Sequence, residues 1–142
     1  MAVKQISVTL DNVPGALSRL TGILEKEGIE TKALMAATAA GSGTVRMIVS
    51  DPQRASAVLE SFGFNYAVTP VIAAEIPLHP GGMNAILNPL NQAEINIDYC
   101  YTTIDRIGGG TIVIIGTAKT DEAQEVLRQN WISLIEDETL AL

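Results

Sequence analysis

The stretch TLDNVPGALSRL, Thr9 to Leu20, decides how the chain is read. It ends a run in which Ile6, Val8 and Leu10 alternate with Ser7 and Thr9, the period of a strand with one buried face. The chain then turns on Asn12-Val13-Pro14-Gly15. From there Leu17, Leu20, Leu24 and Glu27 fall at helical spacing until Gly28 stops the pattern. A second stretch, EIPLHPGGMNAIL (Glu75 to Leu87), places Pro-Gly at the same kind of corner among different polar residues.

Sliding the chain on itself from Gly15 to Gly81, about 66 residues, exposes a repeat. Leu17 falls on Met83, Leu20 on Ile86, Leu24 on Leu90 and Ile29 on Ile95. Past the glycines near Gly43 and Gly109 the offset grows by one, pairing Val45 with Ile112 and Met47 with Ile114. It grows by one more to pair Ala55 with Ala123, Val58 with Val126 and Leu59 with Leu127. The drift falls at loops, where insertions are tolerated.

Each copy predicts the same order of elements. In the first, IETKALMAAT and GTVRMIVS are strands joined by a Gly41-Ser42-Gly43 turn. Asp51-Pro52 opens a helix whose Ala55, Val58, Leu59 and Phe62 face the core. NYAVT is a closing strand before Pro70. The second copy gives VIAAEI, a helix from Pro80 to Gln92, INIDYCYTTI, a Gly108-Gly109-Gly110 turn, TIVIIGT, a helix carrying Ala123, Val126 and Leu127, and WISLIE. The order β-α-β-β-α-β, twice, is the ferredoxin-like split pattern. The expected fold class is α+β: two units, 1–70 and 71–142, each with two helices on one face of an antiparallel four-stranded sheet. Units of this size are marginal alone, so they are expected to pack together. With Ile112 and Ile114 assigned to the helices, Val113 and Ile115, joined by Ile48, lie on the open face. A strand apolar on both sides predicts that this face is covered, by a second chain in a homodimer.

Composition narrows the function. Hydrophobic residues make up 47% and aromatic residues 4%, so the core is built of Ile, Val, Leu and Ala. The net charge of −7 has the wrong sign for a nucleic-acid partner. TIVIIG, the longest apolar run, is too short to cross a membrane, and the N-terminus lacks the pattern of a signal peptide. One cysteine, Cys100, permits no internal disulfide and reads as a small buried hydrophobe. A soluble, cytoplasmic protein is expected.

Catalytic chemistry is hard to place. His79 and Cys100, each the only one of its kind, sit on different elements. No CxxC or HxxxH spacing suggests a metal, and the acidic tail Glu136-Asp137-Glu138 reads as a solvated terminus. The triple glycine joins two strands, whereas a phosphate loop precedes a helix and carries Lys-Ser/Thr. Neither corner has the Arg with which acylphosphatases grip phosphate, and the central strands lack the aromatics of RNA-binding sheets. No enzyme activity and no cofactor are expected. The corner itself remains: Asn12 caps the helix or holds a ligand, and free amides at a helix start suit a carboxylate.

Asn12-Val13-Pro14-Gly15-Ala16-Leu17, between strand and helix, resembles the N-x-P-G-x-L signature of ACT domains. LEKEGIETKALMA and LNQAEINIDYCY resemble the ACT helix end running into its second strand, and GTVRMIVSD with the following Pro fits as well. The whole chain resembles two ACT domains with no enzyme attached. The second corner, His79-Pro80-Gly81-Gly82-Met83, departs from the signature, with Leu78 for Asn and Met83 for Leu.

The resemblance implies a regulatory protein that binds an amino acid and acts alone or on a metabolic enzyme. It also implies side-by-side pairing through second strands, with effectors between the first loop of one unit and the second strand of its neighbour. Carried over, the site comprises Asp11, Asn12, Val13, Pro14, Gly15, Ala16 and Leu17 with Asn96, Ile97 and Asp98. The ligand carboxylate would rest on the amides of Gly15, Ala16 and Leu17, and its ammonium group on Asn12, Asn96 and the neighbouring aspartates. The reciprocal site, with His79, Gly81, Gly82, Met83 and Glu30, is altered, so one complete site is expected. The alternative is an interaction or oligomerisation module with no ligand.

Overall fold

The computed structural model describes residues 2–39, 41–104 and 108–136. Among them the chain forms six strands and four helices: β1 (Val3–Asp11), α1 (Ala16–Lys26), β2 (Thr31–Ala39), β3 (Ser42–Val49), α2 (Pro52–Ser61), β4 (Asn65–Glu75), α3 (Gly82–Gln92), β5 (Tyr99–Ile104), β6 (Thr111–Gly116) and α4 (Thr120–Gln129). The chain divides into two compact units, Lys4–Thr69 and Pro70 onward, with Val3 grouped with the second.

In the first unit the strand order is β2-β3-β1-β4, with β1 and β2 both antiparallel to β3. Alternation sends Ile6, Val8, Val45 and Met47 to one face, where Leu20 and Leu24 of α1 and Ala55 and Leu59 of α2 complete the core. Asp51 caps α2 by accepting the Arg54 N–H at 3.1 Å, and Pro52 follows at the first turn, where a missing N–H costs nothing. Phe62 does not join this core. The helix ends at Ser61 and Gly63 reverses the chain with a φ of 76°, leaving Phe62 52% exposed while Phe64 and Tyr66 pack inward.

In the second unit β6 lies between β4 and β5, antiparallel to both. Its core takes Ile72 and Ala74, Val113 and Ile115, Ile86 and Leu90 of α3, and Ala123 and Leu127 of α4. The helix-facing residues of β6 are therefore Val113 and Ile115, the reverse of the expectation. The repeat offset had already reached its final value at this strand, pairing Val45 with Val113 and Met47 with Ile115. A one-residue slip moves every side chain to the other face. Ile112 and Ile114, like Ile48 in the first unit, lie away from the helices and are 0–1% exposed.

Other boundaries also shift. NYAVT and VIAAEI form one strand, β4, running through Pro70; the β6 ladder begins only at Ile72, so the missing proline N–H breaks no bond there. Ser42 and Gly43 belong to β3 rather than to the turn. α3 begins at Gly82, two residues after Pro80. WISLIE contributes a single bridge, Leu134 opposite Ala74, held by Glu75 N–H to Ser133 C=O (2.9 Å) and Ile135 N–H to Ala73 C=O (2.8 Å). Cys100 is exposed: β5 is paired on one side only, and the tyrosines flanking it project to its other face. Asp137 and Glu138 of the acidic tail lie outside the described residues, as do residues 105–107.

Candidate functional site

The first corner is built by backbone bonds. After β1 the Val13 N–H donates to Asp11 C=O (3.0 Å) and the Ala16 N–H to Val13 C=O (3.3 Å). Gly15 then caps α1 at φ 86°, a left-handed conformation that burdens any residue with a Cβ. Pro14 thus lies in the turn before the helix rather than at its first position. Asn12 does not cap: no side chain bonds the helix start. Among the described residues, the side chain of Asn12 and the amides of Leu17 and Ser18 have no hydrogen-bond partner, whereas the Ala16 amide is already used.

A cavity of 140 Å³ adjoins this corner. Asn12, Val13, Ala16 and Leu17 line one side, and Ala36, Ala37 and Thr38 of β2 line the other. The β2 residues were not foreseen as part of a site. Their signal is the run of small side chains from Ala36 to Gly43, which leaves room where a larger residue would fill it. Val13 and Leu17 remain 58% and 38% exposed, offering apolar surface beside the free polar groups.

The second corner reproduces the same backbone. His79 N–H donates to Pro77 C=O (3.0 Å), Gly82 N–H to His79 C=O (2.9 Å) and Ala85 N–H to Gly81 C=O (3.0 Å). Each bond matches one at the first corner, where Arg19 N–H reaches Gly15 C=O at 2.9 Å. Gly81 repeats the left-handed cap at φ 90°. The side chains differ. The His79 ring is engaged, its Nδ1 lying 2.8 Å from Pro80 C=O. Met83 packs on the second core, where its counterpart Leu17 stays exposed.

Asn96, Ile97 and Asp98 precede β5 rather than beginning it. Glu94 takes a φ of 58° and Ile95 N–H folds back to Leu90 C=O (2.9 Å), so regular pairing resumes only with Asp98 N–H to Gly116 C=O (2.9 Å). Asn96 Nδ2 donates to Asp98 Oδ1 (2.9 Å), and the Asn96 C=O accepts from Thr117 Oγ1 (2.8 Å). Ile97 packs on the second core. At the matching place in the first unit, Glu30 exchanges bonds with Ser50 through its N–H and C=O, both at 2.9 Å. The structure thus gathers residues 11–17 at one corner and residues 96–98 in one short segment, the two sets belonging to different units. Among the described residues no cluster of His, Cys, Asp and Glu could hold a metal ion, and no helix is long and apolar enough to cross a membrane.

A twice-used split βαβ pattern, with glycine-capped corners and helices on one sheet face, defines a pair of small α+β domains. The chain belongs to the ACT domain pair family, whose model matches residues 1–142. It is similar to protein BT0572 from Bacteroides thetaiotaomicron, with 32% identity, 99% of this chain and 96% of that one covered, and a TM-score of 0.90. It also shares its fold with the ligand-free regulatory subunit of aspartate kinase from Thermus thermophilus, at 16% identity, 92% and 94% coverage and a TM-score of 0.67. The corresponding subunit from Thermus flavus gives 16%, 92% and 94%, with a TM-score of 0.59. Comparison with curated protein sequences gives no match.

Proposed function

We propose that the protein is a non-catalytic sensor that binds an amino acid at the first corner and regulates a metabolic enzyme in the cytoplasm. Residues 1–70 and 71–142 each serve as one ACT domain. The observation that carries this reading is the pairing of unused groups with space: among the described residues the Asn12 side chain and the Leu17 amide lack partners, and both residues line a 140 Å³ cavity. A ligand carboxylate would take the amides, aided by the positive end of α1. Its ammonium group would take the Asn12 carbonyl.

The second half of the site comes from a neighbouring copy. β2 and β5 are each hydrogen-bonded along one side only, leaving rows of donors and acceptors able to pair. Antiparallel pairing of β2 in one copy with β5 in another sets the segment leading into β5, which carries Asn96, beside the end of β2 that lines the cavity. A homodimer built this way has one site per chain. The exposed thiol of Cys100 suits a reducing compartment.

Thermal-shift measurements against the twenty amino acids test the reading. A ligand at a hundred times its Kd stabilises by about 2.7 kcal/mol, a readily visible rise in Tm. No shift with any of them would favour the second reading, an interaction module without a ligand, which the 82% and 94% exposure of Leu78 and Trp131 supports.

A further inference from the structure

A second cleft lies on the other side of β1, toward β4. Its volume is 550 Å³, and it is lined by Asp11 at the end of β1, Arg19 on α1, and Gly63, Phe64 and Asn65 leading into β4. The Arg19 guanidinium sits 5.2 Å from the centroid of the Phe64 ring, which holds the cation in place without neutralising it. Among the described residues, neither Asp11 nor Arg19 has an ion-pair partner, although both line the same cleft.

The second unit supplies an internal control. There the equivalent cleft is formed by the same backbone: Trp131 and Ile132 N–H reach Arg128 and Leu127 C=O at 3.1 Å, as Gly63 and Phe64 N–H reach Glu60 and Leu59 C=O at 3.0 Å. This cleft measures only 290 Å³, and its chemistry differs: Glu75 is its one charged lining residue, and no cation lines it. Pro77 stands for Asp11, Ala85 for Arg19, Trp131 for Gly63, Ile132 for Phe64 and Ser133 for Asn65. The fold therefore does not require the charged set. One copy of the repeat keeps an acid, a base on an aromatic platform and an amide around an open volume, and the other replaces all of them.

We infer that the first-unit cleft binds a small zwitterion, a free amino acid, with Arg19 on its carboxylate and Asp11 on its ammonium group. Asn65 is available to hydrogen-bond either group. A dianion such as phosphate is disfavoured, because Asp11 repels it while Arg19 alone attracts it. This site shares Asp11, Val13 and Ala16 with the wall of the one at Asn12 but is distinguished from it by Arg19, Phe64 and Asn65, and it needs no neighbouring copy.

The test is titration calorimetry of the full chain with the free amino acids and with the N-acetylated and C-amidated forms of any that bind. Arg19→Ala is expected to weaken one binding event about tenfold or more, with partial recovery in Arg19→Lys. Blocking either end of the ligand is expected to weaken the same event, and Asn12→Ala to leave it unchanged. Binding that depends on Asn12 and Asn96 but not on Arg19 would overturn this inference and leave the proposed function standing. Binding that depends on Arg19 alone would do the reverse. Equal binding of blocked and free forms, or no binding at millimolar concentration, would also overturn it.

Discussion

Replacing Glu94 and Trp131 by glycine is expected to stabilise the protein. Both residues are in the left-handed region, at φ 58° and 63°, just past the ends of α3 and α4. Their counterparts in the first unit are Gly28 and Gly63, at φ 72° and 76°. The equivalence is seen in the bonds: Glu94 N–H reaches Asn91 C=O as Gly28 N–H reaches Glu25 C=O, both at 3.0 Å. Holding a residue with a Cβ in this region costs about 1–2 kcal/mol. Glycine gives back about 0.4–1 kcal/mol by widening the unfolded ensemble. At 94% exposure Trp131 contributes little burial to lose. The net gain is about 0.5–1 kcal/mol per site. The two helix ends are separate, so the double variant should gain about 1–2 kcal/mol. For a unit of this size that raises Tm by several degrees, at about 4–8 °C per kcal/mol. Thermal and urea unfolding followed by far-ultraviolet circular dichroism measures it. A lower Tm in both single variants would refute the reasoning, since the side chains would then stabilise by more than their backbone strain.

Gly82→Ala should be the more damaging of two corner substitutions. Its Cβ would lie 2.0 Å from the Pro77 carbonyl oxygen, and overpacking against backbone costs about 1–3 kcal/mol, with this case toward the upper end. Gly15→Ala meets nothing within 4 Å and should lose a net of about 0.5–1 kcal/mol, its left-handed φ cost less the narrower unfolded ensemble; denaturant titrations of both variants check the order. Trp131, the only tryptophan, should emit like the free amino acid and be fully accessible to a soluble quencher. Tyr66 should ionise above the ordinary tyrosine range, because desolvation raises its pKa first and the Glu60 charge and hydrogen bond, at 3.4 Å, add to it. A raised folded-state pKa gives stability that is complete below the unfolded value and lost as pH rises through the folded one. An ultraviolet-absorbance titration should therefore show a late alkaline step that Glu60→Gln moves earlier.

The repeat was legible because its punctuation is chemical. Pro-Gly at each corner and the helix-stopping residues have direct counterparts in the backbone bonds of both units. The faces of β6 were not legible, since Ile112 to Ile115 are apolar throughout and alternation carries no parity in such a run. Pro70 looked like a boundary because proline usually ends a strand, yet it falls where the β6 ladder has not begun. Asn96 was placed in a strand by its apolar neighbours Ile95 and Ile97, but those two pack on the core from an irregular segment set by the left-handed Glu94. Of the candidate site, the loop was visible through its polar residues. The β2 wall was not, because alanines announce themselves only by the space they leave.

Mixing two single variants tests the proposed site most directly. Asn12→Ala and Asn96→Ala should each abolish the Asn12-dependent binding event in calorimetry. When the two proteins are mixed and allowed to exchange subunits, a mixed dimer pairs the intact Asn12 corner of one copy with the intact Asn96 segment of the other. Random exchange makes half the dimers mixed, with one complete site each, so about a quarter of the wild-type binding capacity should return. No recovery on mixing, or undiminished binding in either single variant, would contradict a site shared between copies.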